Sequence, residues 1–133
     1  MAGIRAFSLR YGTSSGNMAW YRVEDDERDI CVRIDRYDDG EEYTNYTQTD
    51  ADFLQEIADV IEKNDIASWN FFYDIQNTMC SGDSWVLHVY YADGEEIHAM
   101  GHTAYPEGFG EGKEAMEKLF RRFIGETEAD LGI

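Results

Sequence analysis

The chain is poor in proline, cysteine and lysine, with one, two and three of them in 133 residues. A single proline argues against a Pro-rich linker. Two cysteines, Cys31 and Cys80, are too few for the disulfide scaffold of a small secreted domain. No apolar run approaches the roughly 20 residues of a membrane-spanning helix, and none follows a basic start as in a signal peptide. We therefore expect a reduced, cytoplasmic protein with no membrane contact.

Negative charge is what the chain has in excess: 28 Asp and Glu stand against 11 Lys and Arg, for a formal net charge of -17. Residues 24–56 hold 13 acidic and three basic residues. Such a surface repels nucleic acid and anionic membranes and attracts cationic partners. Two acidic runs dominate the segment, and we predict their members as partner-binding residues: Glu24, Asp25, Asp26, Glu27, Asp38, Asp39, Glu41 and Glu42.

The same charge has a second interpretation. Low lysine with high Asp and Glu is also typical of proteins from an acidic proteome, and turns collect acidic residues for conformational reasons. The apolar fraction of 43% is that of a globular protein rather than a disordered acidic tail. We expect one domain over residues 1–133, with 125–133 as a frayed tail.

The first half of the chain has the two-residue period of β-strands. Ile30, Val32 and Ile34 face one way in the third strand, while the polar residues between them face the other. If the strands form a meander, the two acidic turns lie at opposite ends of the sheet. The predicted strands cover residues 4–11, 18–23, 29–37 and 41–48.

The second half changes to helical spacing. Thr49 or Asp50 is expected to cap a helix, and Asn64 to end it in the left-handed conformation. Asp93-Gly94 favours a two-residue hairpin turn. The remaining predicted elements are a short strand at 67–73, a polar loop at 76–83, hairpin strands at 84–91 and 95–101, and a helix at 109–124. We predict an α+β domain: an antiparallel sheet of about four N-terminal strands, then a helix, a hairpin and a C-terminal helix, with the helices packed on one face.

Residues 82–123 carry a pattern made of Trp85 in a strand, the Asp93-Gly94 turn, Gly101 and Tyr105-Pro106-x-x-Phe109 before a final helix. It resembles a pattern in small bacterial proteins for which no function is established. The resemblance covers about a third of the chain and implies a shared fold but no activity. Its residues are turn formers, aromatics and helix starters, which are structural roles.

The three histidines do not predict a metal site. With a two-residue turn at Asp93-Gly94, His98 and His102 share one face of the hairpin and His88 takes the other. His98 and His102 are then roughly 13 Å apart along the strand, whereas zinc ligands bind at about 2 Å. We expect no cofactor and no metal.

No catalytic motif is complete. Gly82-Asp83-Ser84 is similar to the nucleophile segment of chymotrypsin-like proteases, but Trp85 follows where those enzymes have glycine. Cys80 has no local base that would make it a nucleophile. We therefore predict a protein that is not an enzyme.

Two ligand-loop patterns are also incomplete. Residues 108–113 are similar to a phosphate-binding loop, but Glu107 and Glu114 occupy positions where the motif has glycine and Ser/Thr. Residues 35–46 fit a calcium loop at three positions, but tyrosines replace two of its ligands. Neither segment predicts a dedicated site.

Consecutive aromatic residues in a strand point to opposite faces, so one of Phe71/Phe72 and one of Tyr90/Tyr91 is expected on the outer face. An exposed aromatic patch beside acidic residues is typical of protein-binding surfaces. The alternative is burial of both faces.

Our leading hypothesis is a non-enzymatic interaction module that binds a protein with a basic surface and does not bind nucleic acid directly. A first alternative is a nucleic-acid-mimicking inhibitor or immunity-type protein, with carboxylates spaced like phosphates. A second alternative is a small ligand-binding domain or enzyme with a pocket between sheet and helices.

Overall fold

The computed structural model describes residues 3–75 and 82–124. This part of the chain forms a seven-stranded sheet and two helices, which confirms the α+β class. The strands are β1 (Ile4–Gly12), β2 (Met18–Asp25), β3 (Ile30–Asp38), β4 (Glu41–Thr49), β5 (Tyr73–Ile75), β6 (Ser84–Tyr91) and β7 (Glu96–His102). The helices are α1 (Ala51–Lys63) and α2 (Phe109–Phe120), with short 3-10 turns at Ile66–Trp69 and Arg121–Phe123.

The sheet has the order β4-β3-β2-β1-β6-β7-β5. Its first four strands pair antiparallel with their sequence neighbours, so they form a meander. The second half of the chain joins this meander through the antiparallel pairing of β1 with β6. Only the short β5 is parallel to its neighbour, β7, among the strands of the described residues.

The core lies on the face of the sheet that carries the apolar alternation. Phe7 of β1 stacks on Phe120 of α2 at a ring distance of 5.7 Å, and Phe53 of α1 meets the same ring edge-on at 5.2 Å. Trp85 of β6 packs on Phe109, the first residue of α2, at 4.6 Å. Both helices therefore contribute to one core cluster with the sheet. Their packing on a single face of the sheet stays a prediction, which these contacts favour.

Helix α1 begins and ends at the predicted residues, but its last turn differs in conformation. Asp50 is the N-cap, and its carboxylate accepts a hydrogen bond from the backbone N–H of Phe53 at 3.2 Å. Asn64 is the C-cap but has φ -102°, so the expected left-handed Asn64 is wrong. The following residue, Asp65, takes the left-handed conformation at φ 51°.

The predicted strand at 67–73 is also wrong. Ile66–Trp69 forms a 3-10 turn that buries Trp69, and the strand begins only at Tyr73. Phe71 and Phe72 nevertheless separate as expected: Phe71 is 77% exposed, while Phe72 stacks on Trp85. The aromatic residues give this segment the composition of a strand, but the packing of Trp69 against α2 determines its backbone conformation.

The hairpin turn between β6 and β7 has three residues instead of the predicted two. The backbone N–H of Tyr91 donates to the carbonyl of Glu95 at 2.9 Å, which encloses Ala92, Asp93 and Gly94. Gly94 has φ 92°, as in a type I turn followed by a glycine bulge. The pairing therefore shifts by one residue, and His88 pairs with His98 instead of Ala99.

Three features discussed from the sequence lie outside the described residues. They are Cys80, most of the polar loop predicted at 76–83 and the tail predicted at 125–133.

Candidate functional site

The two acidic runs lie at opposite ends of the sheet. Residues 24–27 lead from β2 into the turn before β3, whereas residues 38–42 enclose the turn between β3 and β4. The nine residues of β3 separate the two turns, a length of roughly 30 Å at about 3.3 Å per residue. The predicted partner-binding residues therefore form two separate groups rather than one cluster.

The first acidic turn is held by its own carboxylates. Asp25 accepts the backbone N–H of Glu27 at 2.9 Å. Asp26 accepts those of Arg28 at 3.0 Å and Asp29 at 2.8 Å. These backbone hydrogen bonds, that of Asp29 first, lower the pKa of Asp26 below its ordinary 3.8. Two members of the run thus shape the turn, while the Glu27 side chain is 82% exposed.

The second acidic turn is a tight two-residue connection. Asp39 and Gly40 both have positive φ, at 49° and 84°, as a type I′ hairpin requires. Asn17 accepts the backbone N–H of Asp39 at 3.1 Å, and Glu41 accepts the hydroxyl of Tyr43 at 2.8 Å. All four predicted carboxylates of this turn are exposed. One of them, Glu42, borders a smaller pocket of about 350 Å³ together with Met18, Tyr37 and Tyr43.

A cleft of about 900 Å³ lies beside the first acidic turn, between α1 and the ends of β1, β2 and β6. This volume is in the range of clefts that hold small or peptide-like ligands. The apolar residues that line it belong to the core or pack against it: Ile4, Leu54, Ala58, Ile61 and Tyr91.

Four carboxylates and one guanidinium border this cleft. They belong to Asp25, Glu27, Glu62, Asp65 and Arg5. The guanidinium of Arg5 is 4.0 Å from the carboxylate of Glu27, and both side chains are more than half exposed, so this pair contributes little attraction. We call the whole feature the acid-rimmed cleft.

Sequence analysis identified only part of this site. Asp25 and Glu27 were predicted, but Glu62 and Asp65 were not. Helical spacing did provide a signal: Ile61 and Glu62 follow Ala58 by three and four residues and so share one side of α1, and Asp65 comes two residues after the helix ends. Only the packing of α1 beside β1 brings these residues to the same cleft as the first acidic run.

The outer face of the sheet, opposite the core, carries arginines of β1, β2 and β3. The Arg22 guanidinium lies 3.6 Å from the ring centre of Trp20, and that of Arg10 lies 5.3 Å from it. Asp35 accepts hydrogen bonds from Arg22, from Arg33 at 3.0 Å and from Thr44 at 2.9 Å. Partial burial alone would raise the pKa of Asp35, but these hydrogen bonds and charges outweigh it and lower the pKa.

His88 and His98 are neighbours on this outer face, which contradicts the predicted arrangement. Their ring centres are 4.7 Å apart because the three-residue turn places them directly opposite. The Nε2 atom of His88 lies 3.6 Å from a carboxylate oxygen of Glu96, and Nδ1 of His98 is 3.0 Å from the Tyr73 hydroxyl. Within residues 3–75 and 82–124, no group of three His, Cys, Asp or Glu side chains is arranged to hold a metal.

Ser84 and His102 form a close pair at the end of the hairpin, where Ser84 Oγ lies 2.6 Å from His102 Nδ1. A catalytic pair of this kind needs a third group to orient the imidazole. The adjacent carboxylate of Asp83 instead accepts hydrogen bonds from the hydroxyls of Tyr11 and, at 3.5 Å, Tyr105. Among the hydrogen bonds of the described residues, none joins a carboxylate to His102.

The comparisons with known proteins give no family for this chain. No protein-family model matches it, and no curated protein is significantly similar to it. The resemblance of residues 82–123 to small bacterial proteins therefore stays a prediction. Neither α1 nor α2, the two α-helices of the described residues, is long and apolar enough to cross a membrane.

Proposed function

We propose that this protein is a non-enzymatic binding module whose acid-rimmed cleft holds a basic, partly apolar segment of a partner protein. The observation that carries the proposal is the combination in one cleft of an apolar floor and a border of four carboxylates against one guanidinium. An acidic surface alone attracts any cation. A cleft of this composition selects a segment that also has apolar side chains.

Each part of the cleft has a distinct physical role in this proposal. Carboxylates at the border steer a cationic segment toward the cleft and set its on-rate. Removal of water from the partly buried Ala58 and Tyr91 supplies affinity, because burial of apolar surface is worth roughly 25 cal/mol per Å² before the costs of ordering the partner. Lysine and arginine suit such a site since their alkyl stems lie on apolar surface while their charged ends reach the carboxylates.

The nucleic-acid-mimic alternative has less support. A mimic presents carboxylates in a row, spaced like phosphates along a groove. The two acidic runs are instead separated by the length of β3, and the outer face between them carries Arg22 and Arg33. The small-ligand alternative shares the same cleft, and peptides that differ in apolar character at constant charge separate it from the peptide proposal.

The test uses two fluorescein-labelled synthetic peptides of equal length and equal charge, one alternating lysine with leucine and the other alternating lysine with serine. Fluorescence anisotropy measures their binding at about 0.1 M and about 1 M salt, a range over which exposed charge contacts are screened. The proposal predicts that the leucine peptide binds more tightly than the serine peptide and that high salt weakens both complexes.

A matched pair of double variants locates the binding. Asp25→Asn with Glu27→Gln removes two charges at the cleft, and Asp38→Asn with Glu42→Gln removes two at the other end of the sheet. We expect only the first variant to weaken the leucine peptide, by about tenfold if each lost charge contact is worth roughly 0.7 kcal/mol. Equal weakening by both variants would mean that the peptide senses only net charge, and the proposal would fail.

A further inference from the structure

Strand β4 is a long edge strand whose protection against pairing is confined to one end. Its nine residues pair with β3 at every position and without a register shift. On its other side no strand of the described residues pairs with it. Natural edge strands are commonly blunted by charged side chains, proline, a bulge or short length. In β4 the only one of these is the pair of glutamates at its first two positions.

The exposed side chains of β4 are suited to cross-strand contact. Tyr46 is 68% exposed and Tyr43 is 38% exposed, and β4 also carries threonines at 44, 47 and 49. Aromatic and β-branched residues placed opposite each other are favourable cross-strand pairs. The edge therefore offers both free backbone groups and matching side chains.

Charge is distributed unevenly along β4. If the β4 strands of two copies pair, this distribution favours the antiparallel over the parallel arrangement. Glu41 and Glu42 occupy its first two positions, whereas Gln48 and Thr49 at its end are neutral. Parallel pairing of two copies would bring the glutamates together. Antiparallel pairing centred on Asn45 places Glu41 opposite Thr49 and Glu42 opposite Gln48, so no two charges of the strand meet.

We propose that two copies of this chain associate through antiparallel pairing of their β4 strands around a two-fold axis. In this register Tyr46 of each copy lies opposite Thr44 of the other, and Tyr43 lies opposite Thr47. The contact is isologous and closed, which is the commonest symmetry of homo-oligomers. It joins two seven-stranded sheets into one and uses residues other than those of the acid-rimmed cleft.

Net charge opposes this association and gives it a distinctive salt dependence. Each chain carries a formal charge of -17, so two copies repel each other at low ionic strength. Salt screens this repulsion, and the dimer should strengthen between about 0.1 M and about 1 M salt. The complex with a basic peptide should weaken over the same range. Failure of one proposal is therefore distinguishable from failure of the other.

Sedimentation equilibrium of the full chain, with Gln48→Lys and Gln48→Glu, tests both the dimer and its register. Gln48→Lys places a cation opposite Glu42 twice in the dimer and should lower the dissociation constant by about 2- to 30-fold. Gln48→Glu places two carboxylates opposite each other and should raise it by a similar factor. Ser68→Lys and Ser68→Glu make the same charge changes on the exposed Ile66–Trp69 turn, which is followed by residues that hydrogen-bond to β7, far from β4 in the order of the sheet.

Three results would overturn the proposal. The first is a wild-type chain that stays monomeric at high salt up to about 1 mM protein. The second is a dimer whose dissociation constant moves in the same direction with both Gln48 variants. The third is an equal change of the dissociation constant with the Ser68 pair, which would show a response to net charge alone. A variant that tightens the dimer is folded, so loss of structure cannot imitate the expected result.

Discussion

Gly101 of β7 lies directly opposite Trp85 of β6, and a Cβ atom on Gly101 would be 2.5 Å from the indole nitrogen. That nitrogen donates a hydrogen bond to the carbonyl oxygen of Ala104 at 2.9 Å, and the same Cβ would be 2.2 Å from this oxygen. The absence of a side chain at Gly101 thus allows a buried tryptophan to bind the chain leaving β7.

Gly101→Ala should destabilise the fold by about 1–3 kcal/mol, because an added methyl group forces Trp85 or the Ala104 backbone to move in a packed core. Urea unfolding followed by tryptophan fluorescence measures the change. Gly110→Ala is the matched control: it lies in α2 with open space around it, and alanine there should stabilise by about 0.5–1 kcal/mol. Equal stabilities of the two variants would contradict the packing described.

The ionised carboxylate of Asp35 should stabilise the fold at neutral pH and lose this contribution in acid. Its pKa in the folded chain is lower than the ordinary 3.8, so its contribution is present above that value and is lost as pH falls through the lower folded pKa. Asp35→Asn should therefore lower the free energy of unfolding by on the order of 1 kcal/mol at neutral pH. The difference from wild type should shrink towards about pH 2.

The measurement for Asp35 is urea unfolding at a series of pH values, with Glu114→Gln as the control for loss of one negative charge. Glu114 is exposed on α2. If Glu114→Gln reproduced the pH profile of Asp35→Asn, net charge rather than the Arg22, Arg33 and Thr44 contacts would explain the effect.

Tyr11 should make the fold sensitive to alkali. Burial, together with the hydrogen bond to Asp83, raises its pKa above the ordinary 10.0. The folded chain then holds a proton that the unfolded chain releases, so stability is present below about pH 10 and is lost as pH rises. Tyr11→Phe should cost about 1 kcal/mol at neutral pH and should flatten the alkaline loss, as measured by unfolding between about pH 8 and 11. A slope as steep as that of wild type would contradict this role of Tyr11.

Local patterns predicted the elements whose own sequence decides their structure. Alternation placed the four meander strands within two residues of their observed ends, and Thr49 or Asp50 was predicted to cap α1, which Asp50 does, because side-chain period and capping are local properties. The hairpin between β6 and β7 shows the limit. Asp93-Gly94 suits both a two-residue turn and a three-residue turn with a glycine bulge, and this one-residue difference moved His88 to the other face.

The candidate site was less predictable because it joins distant segments. Asp25 and Glu27 stood out in the sequence because they belong to an acidic run. Glu62 and Asp65 have no such signal, and only the packing of α1 beside β1 places them at the cleft. The 3-10 turn before β5 was missed for a related reason: burial of Trp69 against Phe109 at 5.3 Å determines that backbone, and no local pattern encodes this contact.

The most direct test of the central claim is to map where the lysine–leucine peptide binds. Amide and methyl chemical shifts of the labelled protein would be followed by NMR during the titration. We predict that the largest shifts occur at Leu54, Ala58, Ile61 and Tyr91 and at the amides of Asp25 and Glu27. Shifts spread evenly over all acidic turns, or largest at residues 38–42, would contradict the assignment of the acid-rimmed cleft as the binding site.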